Sequence, residues 1–532
     1  MFEQSLQPFI QWKTIKGFDV KTLYTDVIGS SSTEIKAAIE AEYNSATPES
    51  PAPSFLVLVG DVAQVAASAT GSETSKLTDL YYASVDGDMF PDMYYGRLSA
   101  TTPTQLDNII SKILYYEKYQ FDDPTYLNRV TLIAGSDGTW NPNVGQPTIK
   151  YGTANYFNQT KGFSTVNEYG IDDDPYNSNE TSLYNGCYDS DRIGVGLVNY
   201  TAHCGITEWS GPSLTNSSIS GFTNTNKYPL SIGNCCLSGD FGSSECIGEA
   251  WIRAQNKGAV TYIGSSPNTF WLEDFYWSVG AFPLIGNNNG YVPTFQETTI
   301  GMYDAPFVSK YITTGAMVFA GNLAVTEVNT QGFPKTQSSS LYYWQAYNIL
   351  GDPSLIPFFT EGETNQVSYP STTVIGETSF TINTLANSYV AISKDNQLIG
   401  TAFATSSGEL YVPIKPISST GDVVIVITRP QTIPIVDTIT AINPTGPFLM
   451  LDSFTINDQL ANDNGKADYN ESFSTSIKIK NIGIDNATNV KVKLLGLDTN
   501  VFLSGNDSIS IADITKDVGL NTITVASAFS FT

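Results

Sequence analysis

Two stretches, RIGVGLVNYTAH (192–203) and YPLSIGNCC (228–236), are near-continuous apolar runs that end in reactive side chains. Further apolar runs are SFLVLVGD (54–61), RVTLIAGSD (129–137) and AVTYIGSSPN (259–268). Such runs are typical of strands that are buried on both faces of a mostly parallel sheet. Apolar residues at helical spacing lie between them, at 102–119 and 243–258. The sequence up to about residue 360 therefore predicts an α/β domain with an open sheet.

The pattern changes after about residue 365, where apolar and polar residues alternate between frequent turn residues. This alternation is typical of an antiparallel β-sandwich. The segment FDDPT (121–125) marks a boundary between two α/β halves, and INPTGP (442–447) has the composition of a linker. We therefore predict four parts: an amino-terminal α/β half, a catalytic α/β half, a β-sandwich and a second, truncated sandwich-like module, at 1–122, 123–360, 361–441 and 446–532.

Charge excludes one class of partner. The 532 residues contain 26 Lys and Arg against 52 Asp and Glu, which gives a formal net charge of −26. Nucleic acid is therefore not expected as a partner, because binding it needs a cationic surface. Cationic substrates and divalent cations suit the surface better. No apolar run reaches the roughly 18 residues of a membrane-spanning helix, so no transmembrane segment is expected.

Three predicted strands are followed by side chains that can perform chemistry together: Asp137, His203 and Cys236. The carboxyl ends of parallel strands meet at one edge of a sheet, where ligands bind in open α/β folds. A thiol, an imidazole and a carboxylate there can serve as nucleophile, base and orienting group. His203 is the single histidine, but the pattern alone does not choose Cys236 over Cys235 or Cys204 as the nucleophile. The odd count of five cysteines does not indicate a disulfide framework.

A family resemblance is carried by NYTAHCGITEWSGPSLT (199–215), SIGNCCLSGDF (231–241) and GAVTYIGSSPNTFWLEDFYWSVG (258–280). These segments closely resemble the gingipain family of cysteine peptidases, and above all its lysine-specific branch. The resemblance extends over about residues 1–440. It implies a caspase-like open sheet in two α/β halves, followed by immunoglobulin-like β-sandwich modules.

The resemblance assigns the catalytic roles. It implies that Cys236 is the nucleophile, His203 the general base and Asp137 the carboxylate that orients the base. The backbone N–H groups of Cys236 and Cys204 would form the oxyanion hole. Cys204 stands where the family has Gly, so its side chain could crowd the scissile carbonyl or form an inhibitory disulfide with Cys236. Cys235 and Cys246 are expected to serve packing alone, and Cys187 gives no functional signal.

The resemblance also maps a specificity pocket. It places the acid that selects a cationic side chain at Asp274, with Thr201 and Asn234 lining the pocket and Trp271 as an apolar wall. A buried acid selects a cation because leaving either charge desolvated and unpaired is unfavourable. A compact ammonium needs a few point acceptors, whereas a guanidinium prefers a flat bidentate partner. Lysine is therefore the expected residue before the cleaved bond.

Calcium is the expected metal. The turn DGDMFPD (86–92) concentrates hard oxygen ligands of the kind that Ca²⁺ prefers. The resemblance maps a structural calcium site onto five residues: Asp61, Asp86, Asp88, the carbonyl of Phe90, and Asp92. A zinc site is not expected, since the chain has one His and no Cys-x-x-Cys pair. No organic cofactor is expected.

Two functions from different classes follow. The first is a secreted or cell-surface cysteine endopeptidase, with a monomeric catalytic unit that cleaves proteins or peptides after Lys through an acyl-enzyme. The amino end lacks the pattern of a signal peptide. We therefore expect the signal, propeptide and sorting tail to lie outside this sequence. The alternative is a catalytically impaired scaffold that acts as a surface binding or adhesion protein, with Cys204 disturbing the oxyanion hole.

Overall fold

The structure is a computed structural model of the chain. It describes residues 1–48, 50–69, 73–88, 90–170, 194–283, 290–308, 311–339, 341–459, 461–495 and 502–531. Cys187 lies outside these ranges. Contacts divide the chain into two compact units. Unit 1 comprises Met1–Trp12, Val20–Thr364 and Arg429–Pro434, and unit 2 comprises Lys13–Asp19, Asn365–Thr428 and Ile435–Thr532.

The described helices are, in chain order, α1 Glu3–Lys16, α2 Thr25–Ile28, α3 Ser32–Asn44, α4 Leu80–Ala83, α5 Pro103–Glu117, α6 Gln146–Asn155, α7 Asn216–Ser220, α8 Ile247–Arg253, α9 Trp271–Val279, α10 Ala305–Val308, α11 Thr314–Gln331 and α12 Tyr342–Ala346. Shorter 3₁₀ turns span Pro124–Asn128, Gln159–Lys161 and Phe295–Glu297, and a π turn spans Asn141–Gly145. None of the helices in the described ranges combines the length and the apolar character needed to cross a membrane.

The strands of unit 1 are β1 Phe55–Val59, β2 Tyr94–Leu98, β3 Arg129–Ala134, β4 Thr165–Tyr169, β5 Leu197–Thr201, β6 Cys204–Gly205, β7 Glu208–Ser210, β8 Ser213–Thr215, β9 Leu230–Asn234, β10 Thr261–Ser265 and β11 Tyr347–Leu350. Eight of them form one sheet in the order β1-β2-β11-β10-β9-β5-β3-β4. All pairs in it are parallel except β10 with β11. The predicted mixed α/β fold with a mostly parallel sheet is confirmed, and both predicted halves contribute strands to it.

Two apolar clusters cover the two faces of this sheet. Tyr200 of β5 and Tyr262 of β10 belong to the cluster that includes α5 and α8. Ile232 of β9 and Ile263 of β10 belong to the cluster that includes α9 and α11. Consecutive strand residues point to opposite faces, so Tyr262 and Ile263 enter different clusters. Burial on both faces explains why these strands are continuous apolar runs in the sequence.

The strands of unit 2 are β12 Thr372–Val374, β13 Ser379–Thr384, β14 Tyr389–Lys394, β15 Gln397–Phe403, β16 Gly408–Pro413, β17 Gly421–Thr428, β18 Ile435–Ile442, β19 Leu449–Asn457, β20 Phe473–Asn481, β21 Lys491–Lys493, β22 Ser508–Ser510 and β23 Thr522–Phe531. They form sheets β12-β18-β17-β14-β15, β13-β16, β19-β20-β23 and β21-β22. Nearly all pairs are antiparallel, as the alternation predicts. The immunoglobulin-like assignment and the domain boundaries remain predictions.

Candidate active site

The candidate site lies where three neighbouring strands end. Strands β3, β5 and β9 are adjacent, and their last residues are in register: Ala134 pairs with Thr201, and Thr201 pairs with Asn234. The chain leaves the sheet at this edge in all three cases. Asp137, His203 and Cys236 follow within three residues of these strand ends. The predicted convergence of three segments at one edge is therefore present.

His203 and Asp137 are hydrogen-bonded. The Nε2 atom of His203 lies 2.9 Å from Oδ2 of Asp137, and the side chains are 53% and 21% exposed. The backbone N–H groups of Thr139 and Trp140 also donate to Asp137, at 2.8 and 2.7 Å. Burial raises the pKa of Asp137, but these hydrogen bonds outweigh it, and the net pKa is lower than usual. Asp137 is thus an ionised acceptor that leaves Nδ1 of His203 to exchange a proton.

Cys236 contacts Thr269. The backbone N–H of Thr269 donates to Sγ of Cys236 at 3.3 Å, and Sγ donates to the Thr269 carbonyl at 3.7 Å. Cys236 is a half-buried free thiol. Burial raises its pKa, and the negative charge of Asp274 raises it further, against the opposing hydrogen bond from Thr269. Among the hydrogen bonds of the described residues, none joins Cys236 to His203, so proton transfer between them requires the two side chains to come within hydrogen-bonding distance.

A disulfide links Cys204 to Cys235, with their Cα atoms 5.6 Å apart. Three expectations are therefore wrong. The cysteines of this region do include a structural pair, and Cys204 bonds Cys235 rather than the nucleophile candidate Cys236. Cys235 is also more than a packing residue, although it is fully buried in the apolar cluster with α5 and α8. Cys246 is a buried free thiol, as expected for packing, and it caps the amino end of α8.

Asp274 lies on α9 and is almost completely buried, with 5% exposure. Three hydroxyl groups donate to its carboxylate: Thr269 at 2.6 Å, Tyr343 at 2.9 Å and Tyr347 at 3.0 Å. Burial nevertheless raises the pKa of Asp274 to about 7. A carboxyl with this pKa is poised to ionise when a cation approaches, because an opposite charge favours the ionised form.

Thr201 and Asn234, the last residues of β5 and β9, are fully buried. The Asn234 amide donates to the Asp274 carbonyl at 3.1 Å and to the Ser278 hydroxyl at 2.8 Å, and its Oδ1 contacts the Tyr347 hydroxyl, which Asp274 shares. Thr201 accepts from the amide of Asn199 at 3.0 Å and from the amide of Asn234 at 3.5 Å. The structure thus brings three of the predicted pocket residues into one polar network.

Trp271 borders the same site. Its ring meets the His203 ring edge-on at 5.4 Å between centroids, and it stacks on Trp140 at 6.2 Å. The two indoles place an apolar surface beside the imidazole. Trp271 and Trp140 thus form an apolar surface beside His203, and the role of Trp271 as a wall of the specificity pocket stays a prediction.

The predicted calcium ligands make hydrogen bonds and an ion pair with other groups of the protein. Asp61 accepts from the guanidinium of Arg253 at 2.8 Å. In the turn, Asp92 accepts from Val85 N, Asp86 from Asp88 N, and Asp88 from the N–H of Phe90. No group of three or more His, Cys, Asp or Glu side chains that could hold a metal ion occurs in the part of the chain that the structure describes. As placed, these carboxylates serve local hydrogen bonds and an ion pair, and calcium binding by them remains a prediction.

Sequence reasoning missed several residues of the site. Thr269, Tyr343 and Tyr347 surround Asp274, but no spacing rule connects α12 and β11 with α9. Cys204 and Cys235 carried a usable signal. Each is adjacent to a predicted catalytic residue and follows one of two neighbouring strands, so their proximity could have been predicted with the strand order.

Comparison with known proteins gives a consistent assignment. The family model described as "Peptidase family C25" matches residues 1–358. Lys-gingipain HG66 of Porphyromonas gingivalis is 42% identical over 463 residues, which are 86% of this chain and 26% of that protein. Gingipain R2 of the same species is 25% identical over 415 residues, 75% of this chain and 51% of that protein. The chain therefore spans about a quarter of the length of the Lys-gingipain that it matches.

Solved structures agree. One described as "Structure of Protease" has a TM-score of 0.77 and 43% identity, and covers 82% of this chain and 95% of its own. The crystal structure of the Arg-specific cysteine proteinase gingipain R has a TM-score of 0.66 over 83% of this chain and 96% of its own; at 19% identity it supports the fold alone. On the family match over most of its α/β part and its identity with Lys-gingipain, the chain belongs to peptidase family C25.

Proposed function

We propose that this protein is a cysteine endopeptidase that hydrolyses peptide bonds after Lys. One observation carries the proposal: Thr269 contacts both the thiol and the buried acid. Its backbone N–H lies 3.3 Å from Sγ of Cys236, and its hydroxyl lies 2.6 Å from Oδ2 of Asp274. A cationic side chain paired with Asp274 would therefore present the carbonyl of its own residue to the thiol.

The first chemical step is attack by Cys236. His203 takes the thiol proton through Nδ1, while its Nε2–H donates to Asp137. The thiolate adds to the scissile carbonyl carbon and forms a tetrahedral oxyanion. Asp137 keeps the imidazole in one tautomer and stabilises the imidazolium that forms.

The oxyanion needs hydrogen-bond donors. The backbone N–H groups of Cys236 and Cys204 are the proposed donors, and the loss of one such donor typically costs about 3 kcal/mol of transition-state stabilisation. The intermediate collapses when His203 gives its proton to the leaving amine, which yields the acyl-enzyme. Water, activated by His203, then hydrolyses the thioester and frees Cys236.

The pocket favours an ammonium over a guanidinium. Asp274 already accepts from three hydroxyl groups, so its carboxylate does not offer the free, flat edge that a bidentate guanidinium needs. A lysine ammonium is a compact donor that can bind one remaining lone pair and nearby oxygens. Pairing with Asp274 would also offset the negative charge that raises the pKa of Cys236, so that bound substrate favours the reactive thiolate.

We further propose protein or peptide substrates, a monomeric catalytic unit, and a secreted or cell-surface location, in line with the resemblance to gingipains. Calcium stays part of the proposal as a structural ion that would be held by Asp61, Asp86, Asp88, Phe90 and Asp92, with no role in the chemical steps. The adhesion alternative is less favoured, because Cys236 is a free thiol and the Cys204 sulfur is bonded elsewhere.

The test uses the full chain with a lysyl chromogenic peptide and a lysyl acyloxymethylketone probe. We expect turnover of the lysyl peptide and covalent labelling at Cys236, both absent in Cys236→Ala. Cys246→Ala is the matched control, because it removes a buried free thiol outside the site and should keep labelling and turnover. Absence of labelling and turnover in a folded wild-type protein would contradict the proposal and favour an adhesion protein.

A further inference from the structure

We infer that Cys204 and Cys235 are positioning residues of the active site, and that reduction of their disulfide lowers catalytic turnover. The inference rests on the proposed function and adds a redox dependence to it. Cys204 directly follows the base His203, and Cys235 directly precedes the nucleophile Cys236. The bond therefore joins the two catalytic segments at the residues next to the reacting groups.

The bond acts where the sheet no longer holds the two segments together. The parallel ladder between β5 and β9 ends at the pair Thr201 and Asn234. Beyond this pair the two chains leave the sheet, and 31 residues separate the two cysteines along the sequence. The disulfide ties the segments together one to three residues past the ladder, at the level of the nucleophile and the base.

Apart from the disulfide, the segment that carries the base His203 is held by contacts with β5 and the small β6-β7-β8 sheet. The His203 carbonyl accepts from the N–H of Ser210 at 3.0 Å and from the hydroxyl of Tyr200 at 2.9 Å, and Cys204 pairs with Trp209. These contacts bind His203 to the small β6-β7-β8 sheet and to β5. The His203 side chain is 53% exposed, and its hydrogen bond goes to Asp137 on a third segment. The disulfide is the covalent link from this segment to the strand that carries the nucleophile.

The oxyanion hole depends on the same link. Its two proposed donors are the N–H groups of Cys204 and Cys236, one on each segment. Two donors from different segments serve one oxygen only if the segments keep a fixed separation, and a misplacement of about 1 Å can lower a rate by roughly 100-fold. In this chain a disulfide takes the place of the sheet in setting that separation.

The bond is open to reduction from one side. Cys235 is fully buried, whereas Cys204 is half-buried, so we expect a small thiol reductant to approach the bond from the Cys204 side. A dithiol reductant gives two electrons and two protons to the bond, which becomes two thiols, and the reductant becomes a cyclic disulfide. Cys236 takes no part in this exchange and stays a free thiol. Reduction therefore lowers turnover without consuming the nucleophile.

The experiment measures turnover of a lysyl peptide per titrated Cys236, so that oxidation of the nucleophile is accounted for. Wild type is assayed before and after dithiothreitol treatment, beside Cys204→Ala, Cys235→Ala and the control Cys246→Ala. We expect kcat to fall roughly tenfold on reduction and in both disulfide variants, with KM within about twofold. The two disulfide variants should not respond to dithiothreitol, and Cys246→Ala should respond as wild type does.

Peptide mapping under non-reducing conditions follows the state of the bond, and circular dichroism follows the fold. The inference holds if kcat falls while the far- and near-ultraviolet spectra of reduced wild type stay native. It is overturned if kcat stays within about twofold after the bond is fully reduced, or if activity is lost only together with the native spectra. Wild type that hydrolyses no lysyl peptide in either state would instead refute the proposed peptidase function. If the variants fail to fold, the comparison of native wild type before and after reduction still tests the inference.

Discussion

The edge of the sheet at β3, β5 and β9 and the acidic turn at residues 86–92 differ in where their polar groups find partners. At the sheet edge, besides the local backbone bonds to Asp137, hydrogen bonds cross between segments far apart in sequence, as with His203 and Asp137 or Thr269 and Cys236. In the turn, Asp86, Asp88 and Asp92 accept from backbone groups within their own stretch of chain.

This difference separates a reactive constellation from a local cap. Short-range hydrogen bonds from Asp to nearby backbone are an ordinary way to stabilise a turn. Bringing a thiol, an imidazole and a carboxylate together from separate strands costs chain entropy and does not stabilise a local turn. Such an arrangement therefore indicates a catalytic site. The following predictions test that contrast, from the largest expected effect to the smallest.

Removal of the nucleophile or the base should have the largest effect. We expect Cys236→Ala and His203→Ala each to lower kcat for a lysyl peptide by about 10³-fold or more, because the covalent route then lacks a participant. Stopped assays on titrated enzyme measure the loss, and thermal melts verify the fold. Wild-type turnover in Cys236→Ala, with Cys235→Ala inactive instead, would contradict the assignment of the nucleophile.

Loss of the disulfide should lower stability. Closure of a 31-residue loop restricts the unfolded chain, and the chain-entropy relation gives about 3–4 kcal/mol for this length. Urea unfolding of Cys204→Ala without reductant, against Cys246→Ala, measures the difference in the free energy of unfolding. A loss no larger than that of Cys246→Ala would show that the cross-link does not stabilise unit 1.

Substitution of the pocket acid should separate activity from stability. We expect Asp274→Asn to lower kcat/KM for Lys by an amount equivalent to about 2–4 kcal/mol of transition-state stabilisation. The reason is that the substrate ammonium then enters a buried site without a counter-charge. Asp304→Asn is the matched control. Asp304 is another buried carboxyl, bonded to Tyr151 and Tyr156, and its pKa is raised by burial to about 6. An equal loss in both variants would count against the pocket.

The sign of the stability change follows from the pKa of Asp274, which burial raises from its ordinary value of 3.8 to about 7. Between these values the folded state binds more protons than the unfolded state, so the stability contributed by this group falls as pH rises toward 7. At pH 8 the buried charge is fully developed, and Asp274→Asn should stabilise the protein by about 1–3 kcal/mol. Below about pH 4 the gain should vanish. Melts at the two pH values test this, and destabilisation at pH 8 would contradict it.

Calcium should have the smallest effect. Binding in the turn would have to compete with the hydrogen bonds of Asp86, Asp88 and Asp92 and with the Arg253 ion pair of Asp61. We therefore expect millimolar calcium to raise the melting midpoint by about 1–3 °C relative to EGTA. Asp88→Asn should remove the rise, and the exposed Asp107→Asn should keep it. A much larger rise in the melting midpoint would show that the turn, like the sheet edge, is a preorganised functional site. No rise would show that its carboxylates only stabilise the turn.

Element type was predictable, and element ends were less so. The five apolar runs are strands β1, β3, β5, β9 and β10, because burial on both faces leaves a continuous signature. The helix predicted at 102–119 is α5, close to its predicted length. The helix predicted at 243–258 is much shorter, Ile247–Arg253, and it begins where the Glu249 carboxylate accepts from the Cys246 N–H. No sequence rule favours Cys at that cap.

By itself the sequence determined which chemical groups are present and at which strand ends they lie, because strand burial and chain order are written in the spacing of apolar residues. Asp137, His203 and the candidate cysteines were found in this way, whereas the choice of Cys236 and the assignment of Asp274 came from the resemblance alone. Only the tertiary structure decided how neighbouring groups pair. It joined Cys204 to Cys235 rather than to Cys236, and it surrounded Asp274 with Thr269, Tyr343 and Tyr347. Pairing depends on which strands are adjacent and on distances of a few ångströms between distant segments, and spacing along one chain does not contain those distances.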